Sequence, residues 1–400
     1  MRLLFFTQNL PYPTNSGSRL RTRNLIEVLS EIGELKCIFA PFRGMDVDEF
    51  RKYSPIWLSY KIIHSVGKSR LMRGFEYFTS PILRDYRLSD ELENEISSYR
   101  PDLIWIDYLF LAHYIPQIKK KFKIPVIYGT HNFQSDLTLQ QSKTSVRITT
   151  AIKFRIMHQL HKLHERCFYK YADRLVCVSD ADNAKHIQII PSEKCRVVPN
   201  FVDFESCENV KAHREVKEYI VFVGSINNFQ NSQGVIFFLE KIYPLVFRDP
   251  GAPFFLIVGR GAKSNPVVVD YERQYDNIKI YENVDSVLPY LKGAAVSIVP
   301  LLSGSGTRLK IIESMMCKTA VVSTSVGAEG IDYDGGKYLI VSDDPIEFAA
   351  HILDLLNNAQ KRYAMAENAW VYGHKNFSKV AICSFLKREI ANLNDEVGYL

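Results

Sequence analysis

No stretch of this 400-residue chain approaches the roughly 18 consecutive apolar residues that cross a bilayer. The opening run Met1-Arg2-Leu3-Leu4-Phe5-Phe6 turns polar at Thr7-Gln8-Asn9, too soon for the apolar region of a signal peptide. A membrane is therefore expected to be met from its side. Cysteine pairs are missing too: the 7 cysteines are odd in number, widely spaced and without a C-x-x-C pair. Unpaired, mostly buried thiols in a reducing cytoplasm are expected, and structural zinc is not. There is no dense Lys/Arg tail and no nucleic-acid motif, so DNA and RNA are not expected partners. The net charge of +6 favours anionic ligands or membrane surfaces.

What remains is an ordinary globular composition, 46% hydrophobic and 24% charged. The length exceeds one typical core and predicts two domains. Residues 2 to 7 read as a buried strand, Gln8 to Ser18 as a polar loop, and Arg19 to Ile32 as a helix with apolar residues at 20, 25, 28, 29 and 32. Arg19, Arg21 and Arg23 crowd the first turn. Cations there oppose the helix dipole, which predicts an anion nearby, against the simpler reading of an exposed basic turn. Strands at 35 to 40, 101 to 107 and 125 to 131 follow, the last two ending in Asp107 and in His131 and Asn132. Ligands sit at carboxyl ends of parallel strands, so His131 and Asn132 become site candidates.

Residues 143 to 174 read as one long basic helical region. Its apolar positions at 148, 152, 156, 160 and 163 predict a stripe packed inward, with the opposite basic face solvated or laid on anionic headgroups. Asp180-Ala181-Asp182 is read as helix-cap chemistry beside Ser179, not as a metal motif. Strands 174 to 179 and 195 to 200 close the first half, and the polar stretch 204–217 reads as a linker. A second α/β series then begins, with strands near 219–224, 254–259, 279–281, 295–300, 320–324 and 338–341. Polar loops follow at Ser225-Ile226-Asn227-Asn228-Phe229-Gln230-Asn231-Ser232 and at Val258-Gly259-Arg260-Gly261.

The densest chemistry lies in Ser303-Gly304-Ser305-Gly306-Thr307-Arg308-Leu309-Lys310-Ile311-Ile312-Glu313. Strand, glycine loop and helix start offer backbone N–H groups to a phosphate. Arg308 and Lys310 add charge-assisted bonds to a diphosphate, and Glu313 accepts from sugar hydroxyls. Ligand-free glycine loops with solvated cations are the plain alternative.

Together with the glycine loop at Asn15 to Ser18, the His131 strand end, Ala172-Asp173-Arg174-Leu175-Val176-Cys177-Val178-Ser179, Val197-Val198-Pro199-Asn200-Phe201-Val202-Asp203 and Ala320-Val321-Val322-Ser323-Thr324, this stretch resembles glycosyltransferase family 4. These are retaining enzymes of GT-B architecture. The resemblance covers nearly the whole chain. It implies two Rossmann-like doubly wound α/β domains facing a central cleft: 1–203 for the acceptor, 218–376 for the nucleotide-sugar, and a helix at 377–400 packing back on the first. Glu313 matches the second glutamate of the family's E-x7-E signature, which binds ribose, while Ser305 stands where the first belongs. The strand ending at Gly224 offers Asn227 and Asn228 where relatives carry Arg and Lys.

The implied machinery is His131, Arg308, Lys310 and Glu313 as catalytic residues. Gly17, Ser225, Asn227, Arg260, Ser305, Gly306 and Thr307 are implied at the donor, and Asn132 and Arg19 on the acceptor side. The expected partners are a UDP- or GDP-linked sugar, a glycan or lipid-linked acceptor and an anionic membrane surface, with no cofactor and no metal. A nucleotide-sugar epimerase and a non-catalytic glycan- or nucleotide-binding module are the alternatives.

Overall fold

The structure is a computed structural model, and it describes residues 1–14, 16–41, 45–63, 86–145, 148–216, 218–247, 253–304 and 306–397. Asn15 and Ser305 of the expected site lie outside these residues, as does Arg147. The chain forms two units, one of residues 1–199 with 382–400 and one of residues 200–381.

The first unit is built on strands β1 (Arg2–Thr7), β2 (Glu34–Phe39), β3 (Tyr60–Ile62), β4 (Leu103–Asp107), β5 (Val126–Gly129), β6 (Arg174–Cys177) and β7 (Cys195–Val197). They pair in parallel in the order β3-β2-β1-β4-β5-β6-β7. Leu3, Leu4, Phe5 and Phe6 are all buried, as are Leu103, Ile104, Trp105 and Ile106 of β4. Such unbroken apolar runs are what a parallel sheet covered on both faces requires. The register sets Leu3 opposite both Leu35 and Leu103.

The second unit repeats the plan with β8 (Tyr219–Val223), β9 (Phe254–Val258), β10 (Ile278–Tyr281), β11 (Val296–Val299), β12 (Ala320–Ser323) and β13 (Ile340–Val341). Their order is β10-β9-β8-β11-β12-β13, again parallel. One apolar cluster around Phe222, Phe238 and Ile298 covers one side of this sheet, and another around Val221, Ile312 and Met315 covers the other. In both sheets the strand order reverses once, between β1 and β4 and between β8 and β11. A switch of that kind opens a crevice at the carboxyl edge; the segments after β1, β8 and β11 carry expected site residues, and the neighbouring strands β5 and β9 lead into His131 with Asn132 and into Arg260.

Two expectations about the elements change. The stretch 204–217 is part of the second unit, because Phe204 and Cys207 are buried in its core and Lys292 Nζ donates to the carbonyls of Cys207 and Glu208. The basic region 143 to 174 is not one helix: Gln134–Thr144 and Ile148–Phe168 are separate, and a 3-10 turn at Tyr169–Tyr171 leads into β6. Its apolar stripe is also turned the other way. Ile148, Ile152, Ile156 and Leu163 are exposed, while Met157, His161, His164 and Glu165 face inward. The buried side is polar because the neighbouring helix offers polar partners: Ser135 donates to Glu165 through both N and Oγ, and Thr138 Oγ1 lies 3.4 Å from His161 Nδ1. Residues 382–397 return to the first unit, where Glu396 accepts from Arg174 at 2.5 Å and Glu389 pairs with Arg196.

Candidate active site

In the second unit the chain leaves β11 and turns through Gly304 at φ 133° and Gly306 at φ 78°. A Cβ at Gly304 would stand 2.5 Å from Arg308 Nη2, so only glycine lets the guanidinium fold back across the loop. Arg308 then caps the helix Leu309–Met316, with its side chain directed to the Val326 carbonyl at 3.4 Å and to Glu329 at 4.0 Å. Two neighbours fix the loop. Asn200 Nδ2 donates to the Thr307 carbonyl at 2.5 Å, and Ser303 Oγ donates to Gln233 Oε1 at 3.1 Å.

Lys310, in the first turn of this helix, reaches the end of β8. Its Nζ donates to Asn231 Oδ1 at 2.8 Å and lies 4.1 Å from the centre of the Phe222 ring. Gly224 makes room, since a Cβ there would sit 2.9 Å from that nitrogen. Burial of the ammonium, helped by repulsion from Arg308, pulls Lys310 down to about 7, with Glu313 acting the other way. Glu313 sits three residues on, on the same helix face. Burial pushes its carboxyl up to about 7 despite the attraction of Lys310. An incoming anion would therefore meet a cation that the protein alone holds weakly.

The loops after β8 and β9 lock together beside this helix. Ile226 N donates to the Arg260 carbonyl at 2.7 Å, Ser225 Oγ donates to the same oxygen at 3.5 Å, and Asn231 Nδ2 donates to the Ser225 carbonyl at 2.9 Å. Asn227 packs its amide against Gly261, and the Arg260 side chain is exposed. Beyond β10 lies a groove of about 620 Å³ lined by His213, Tyr281, Tyr290, Lys263, Asn283 and Asp285. His213 stacks on Tyr290 at 4.5 Å and meets Tyr281 edge-on at 5.1 Å. Asn231 was read from the sequence only as part of the polar loop after β8, with no role of its own, and this groove was not read at all. Asn231 is an ordinary polar residue near a helix start, and the rings are scattered along 78 positions of polar and apolar chain, from His213 to Tyr290 counted inclusively.

In the first unit, Asp107 ends β4 fully buried, and its Oδ2 lies 2.8 Å from His131 Nε2. Tyr108 follows at φ 100°, a conformation that strains a non-glycine residue, and sets its ring edge-on to the imidazole at 5.4 Å. Asn132 is the next residue after His131 and is half-buried. Gly17 is the first residue of the helix Gly17–Ile32, capped by Ser16.

The anion expected from the three arginines of this helix is not needed to explain them. Arg19 Nη1 donates to the Pro13 carbonyl, Arg23 pairs with Glu27, and buried Arg21 donates to the carbonyls of Val198 and Pro199, both at 3.0 Å. Chain carbonyls and one carboxylate already satisfy what the helix dipole disfavours. Burial lowers Arg21 to about 10, with Asp107 the main opposing influence. Of the sequence candidates, then, Gly306, Thr307, Arg308, Ser225, Asn227 and Arg260 lie on loops at the second sheet's carboxyl edge, and Lys310 and Glu313 on the helix that follows β11. His131, Asn132, Gly17 and Arg19 belong to the first unit.

Residues 38–206 match the model of Glycosyltransferase Family 4, and residues 217–358 match that of Glycosyl transferases group 1. The chain is a GT-B glycosyltransferase. This glycosyltransferase is 27% identical over 176 residues to an uncharacterised 44.6 kDa protein in the cps region of Klebsiella pneumoniae, a match spanning 42% of this chain and 45% of that one. The aligned part is thus less than half of that relative. It is 26% identical to an uncharacterised glycosyltransferase of Methanocaldococcus jannaschii, over 92% of this chain and 91% of the other. Among solved structures, Anabaena HepE in complex with UDP superposes with a TM-score of 0.68 at 13% identity, covering 98% of this chain and 100% of HepE.

Proposed function

We propose that this glycosyltransferase is a retaining, metal-independent enzyme moving a sugar from a UDP- or GDP-linked donor to a glycan or lipid-linked glycan in surface-polysaccharide assembly. The observation that carries this reading is the meeting of Arg308, Lys310 and Glu313 with a glycine loop at one sheet's carboxyl edge. Cleavage of the glycosidic bond leaves a diphosphate whose negative charge grows in the transition state, and fixed cations with loop N–H groups stabilise that charge. Two protein cations at the loop supply countercharge of the kind a metal ion would bring, which supports transfer without one.

Glu313 is assigned to the ribose hydroxyls. The nucleobase is assigned to the groove beyond β10, where aromatic faces stack on a planar ring. Successive strands stand about 4.8 Å apart, so the end of β10 lies roughly 10 Å from that of β8, about the reach of a nucleoside. The UDP bound by HepE supports a nucleotide of this class. With Nε2 engaged by Asp107, His131 keeps Nδ1 for a sugar or acceptor hydroxyl and so positions it. The acceptor attacks from the leaving-group side, and a phosphate oxygen takes its proton. The enzyme works in the cytoplasm, attached peripherally to the inner face of a membrane.

The test is a thermal-shift screen of nucleotide-sugars on the purified protein, followed by turnover of the best donor with the product anomer read by NMR. Retained configuration and turnover unchanged by a chelator are expected. An inverted anomer would overturn the retaining assignment. Loss of turnover with chelator, restored by a divalent ion, would overturn metal independence. Isomerised donor formed without acceptor would make the protein an epimerase.

A further inference from the structure

The helix Ile148–Phe168 has 21 residues and runs about 30 Å. A helix on a water-soluble surface ordinarily turns its apolar stripe to the core. This one does the reverse. Its inward side holds His161, His164 and Glu165, whereas Ile148 is 77% exposed, Ile152 56%, Ile156 49% and Leu163 47%. At about 100° per residue these four fall within a sector of about 80°. Arg155, Lys162 and Arg166, all exposed, lie along one flank of that sector, and exposed Lys153 lies on the other. The only acid in the helix is Glu165, and it is buried on hydrogen bonds from Ser135.

An exposed apolar stripe edged by cations and free of anions matches the headgroup boundary of an anionic bilayer: aliphatic groups enter the acyl edge while guanidinium and ammonium groups meet phosphates. A second copy of the chain fits poorly, because a two-fold pairing of this face would set cationic flanks together with no carboxylate to answer them. Among the described residues no helix is long and apolar enough to cross a membrane, so the helix would lie along it.

We propose that the outward face of the helix Ile148–Phe168 lies in the headgroup layer of an anionic membrane, with Ile148, Ile152, Ile156 and Leu163 inserted and Arg155, Lys162 and Arg166 against lipid phosphates. This rests on the peripheral attachment proposed above and not on the transfer reaction. The whole protein is co-sedimented with phosphatidylcholine vesicles with and without phosphatidylglycerol, at low and high salt. Wild-type protein is expected on the anionic vesicles, with binding falling at least about tenfold at high salt. Ile152→Ser with Ile156→Ser and Leu163→Ser is expected to weaken binding at least about tenfold at every salt concentration. Arg155→Glu with Lys162→Glu and Arg166→Glu is expected to remove the preference for anionic lipid. Circular dichroism and thermal midpoint should stay unchanged in both variants, since every substituted side chain is exposed.

If wild-type protein binds and both variants bind equally well, this surface is wrong while peripheral attachment stands. Absence of wild-type binding removes both. Concentration-dependent dimerisation by light scattering, abolished by the three serines, would assign the stripe to a second copy and overturn the proposal.

Discussion

At the end of β11 two cations stand within one helical turn, and the surrounding protein pulls Lys310 down to about 7. At the end of β4 the arrangement is the opposite: Asp107 holds His131, while Arg21 is already engaged by the carbonyls of Val198 and Pro199. The same strand, loop and helix unit has thus been used in two ways. In the second unit it holds charge in a state that an arriving anion would improve. In the first it spends its charges on internal partners and fixes an imidazole. The difference teaches that a basic helix start is not by itself an anion site. Arg308 also reaches a carbonyl and a carboxylate, so the contrast rests on Lys310, whose buried ammonium meets a neutral amide oxygen at Asn231.

Lys310→Met breaks the comparison most sharply. If the second unit stabilises a leaving diphosphate, turnover should fall by about two to three orders of magnitude, with a thermal midpoint equal to or above that of the parent because a poorly solvated cation is gone. Steady-state rates beside a melting curve check this, and near-parental turnover would remove the proposed role. Asp107→Asn is the matching change in the first unit. It keeps the shape beside His131 but weakens the hold on Nε2, and a loss of about tenfold is expected for a positioning role. A loss as large as that of Lys310→Met would make His131 a proton-transfer group.

The pH dependence sharpens the contrast further. Lys310 is depressed from its ordinary value, so the unfolded chain binds the extra proton between about 7 and the usual lysine range. Its burial penalty is full below pH 7 and is relieved as pH rises. Glu313 is raised, so its penalty is absent in acid and appears as pH climbs towards 7. A bound diphosphate favours protonated Lys310. Nucleoside diphosphate affinity should therefore fall by up to about tenfold per pH unit above 7, with proton uptake on binding near neutrality. Calorimetry in buffers of different ionisation enthalpy reads both effects, and Lys310→Met should flatten the profile. Gly304→Ala is the smallest test. Its φ of 133° and the guanidinium 2.5 Å away predict a cost of about 1 to 3 kcal/mol, measured by denaturant unfolding. Stability equal to the parent would mean that the loop rearranges freely.

Much of this molecule was legible along the chain. Leu3 to Phe6, Leu103 to Ile106 and Tyr219 to Val223 are continuous apolar runs, and continuity alone marks a strand buried on both faces. The stretch from Ser303 to Glu313 announced its loop and helix because glycines, cations and a carboxylate are adjacent in sequence. Local signals also misled. The period of Ile148, Ile152, Ile156 and Leu163 correctly implied a helix but not its orientation, because periodicity records that one face differs from another and not which one is covered. The three arginines after Ser18 looked like an anion site because cations oppose the dipole at a helix start, and the carbonyls that engage Arg21 lie 177 and 178 positions away.

By itself, then, the sequence determined two parallel-sheet domains, the carboxyl-edge loops and the residues that give this glycosyltransferase its candidate chemistry, since strand runs, helix periods and glycine turns are set by near neighbours. Only the tertiary structure decided which partner each charge finds. Lys310 meets Asn231 across 79 positions, Asn200 meets Thr307 across 107, and Arg21 meets Val198 across 177. Those pairings depend on how strands are ordered in a sheet and on which helix faces are covered, and no local pattern of residues encodes either.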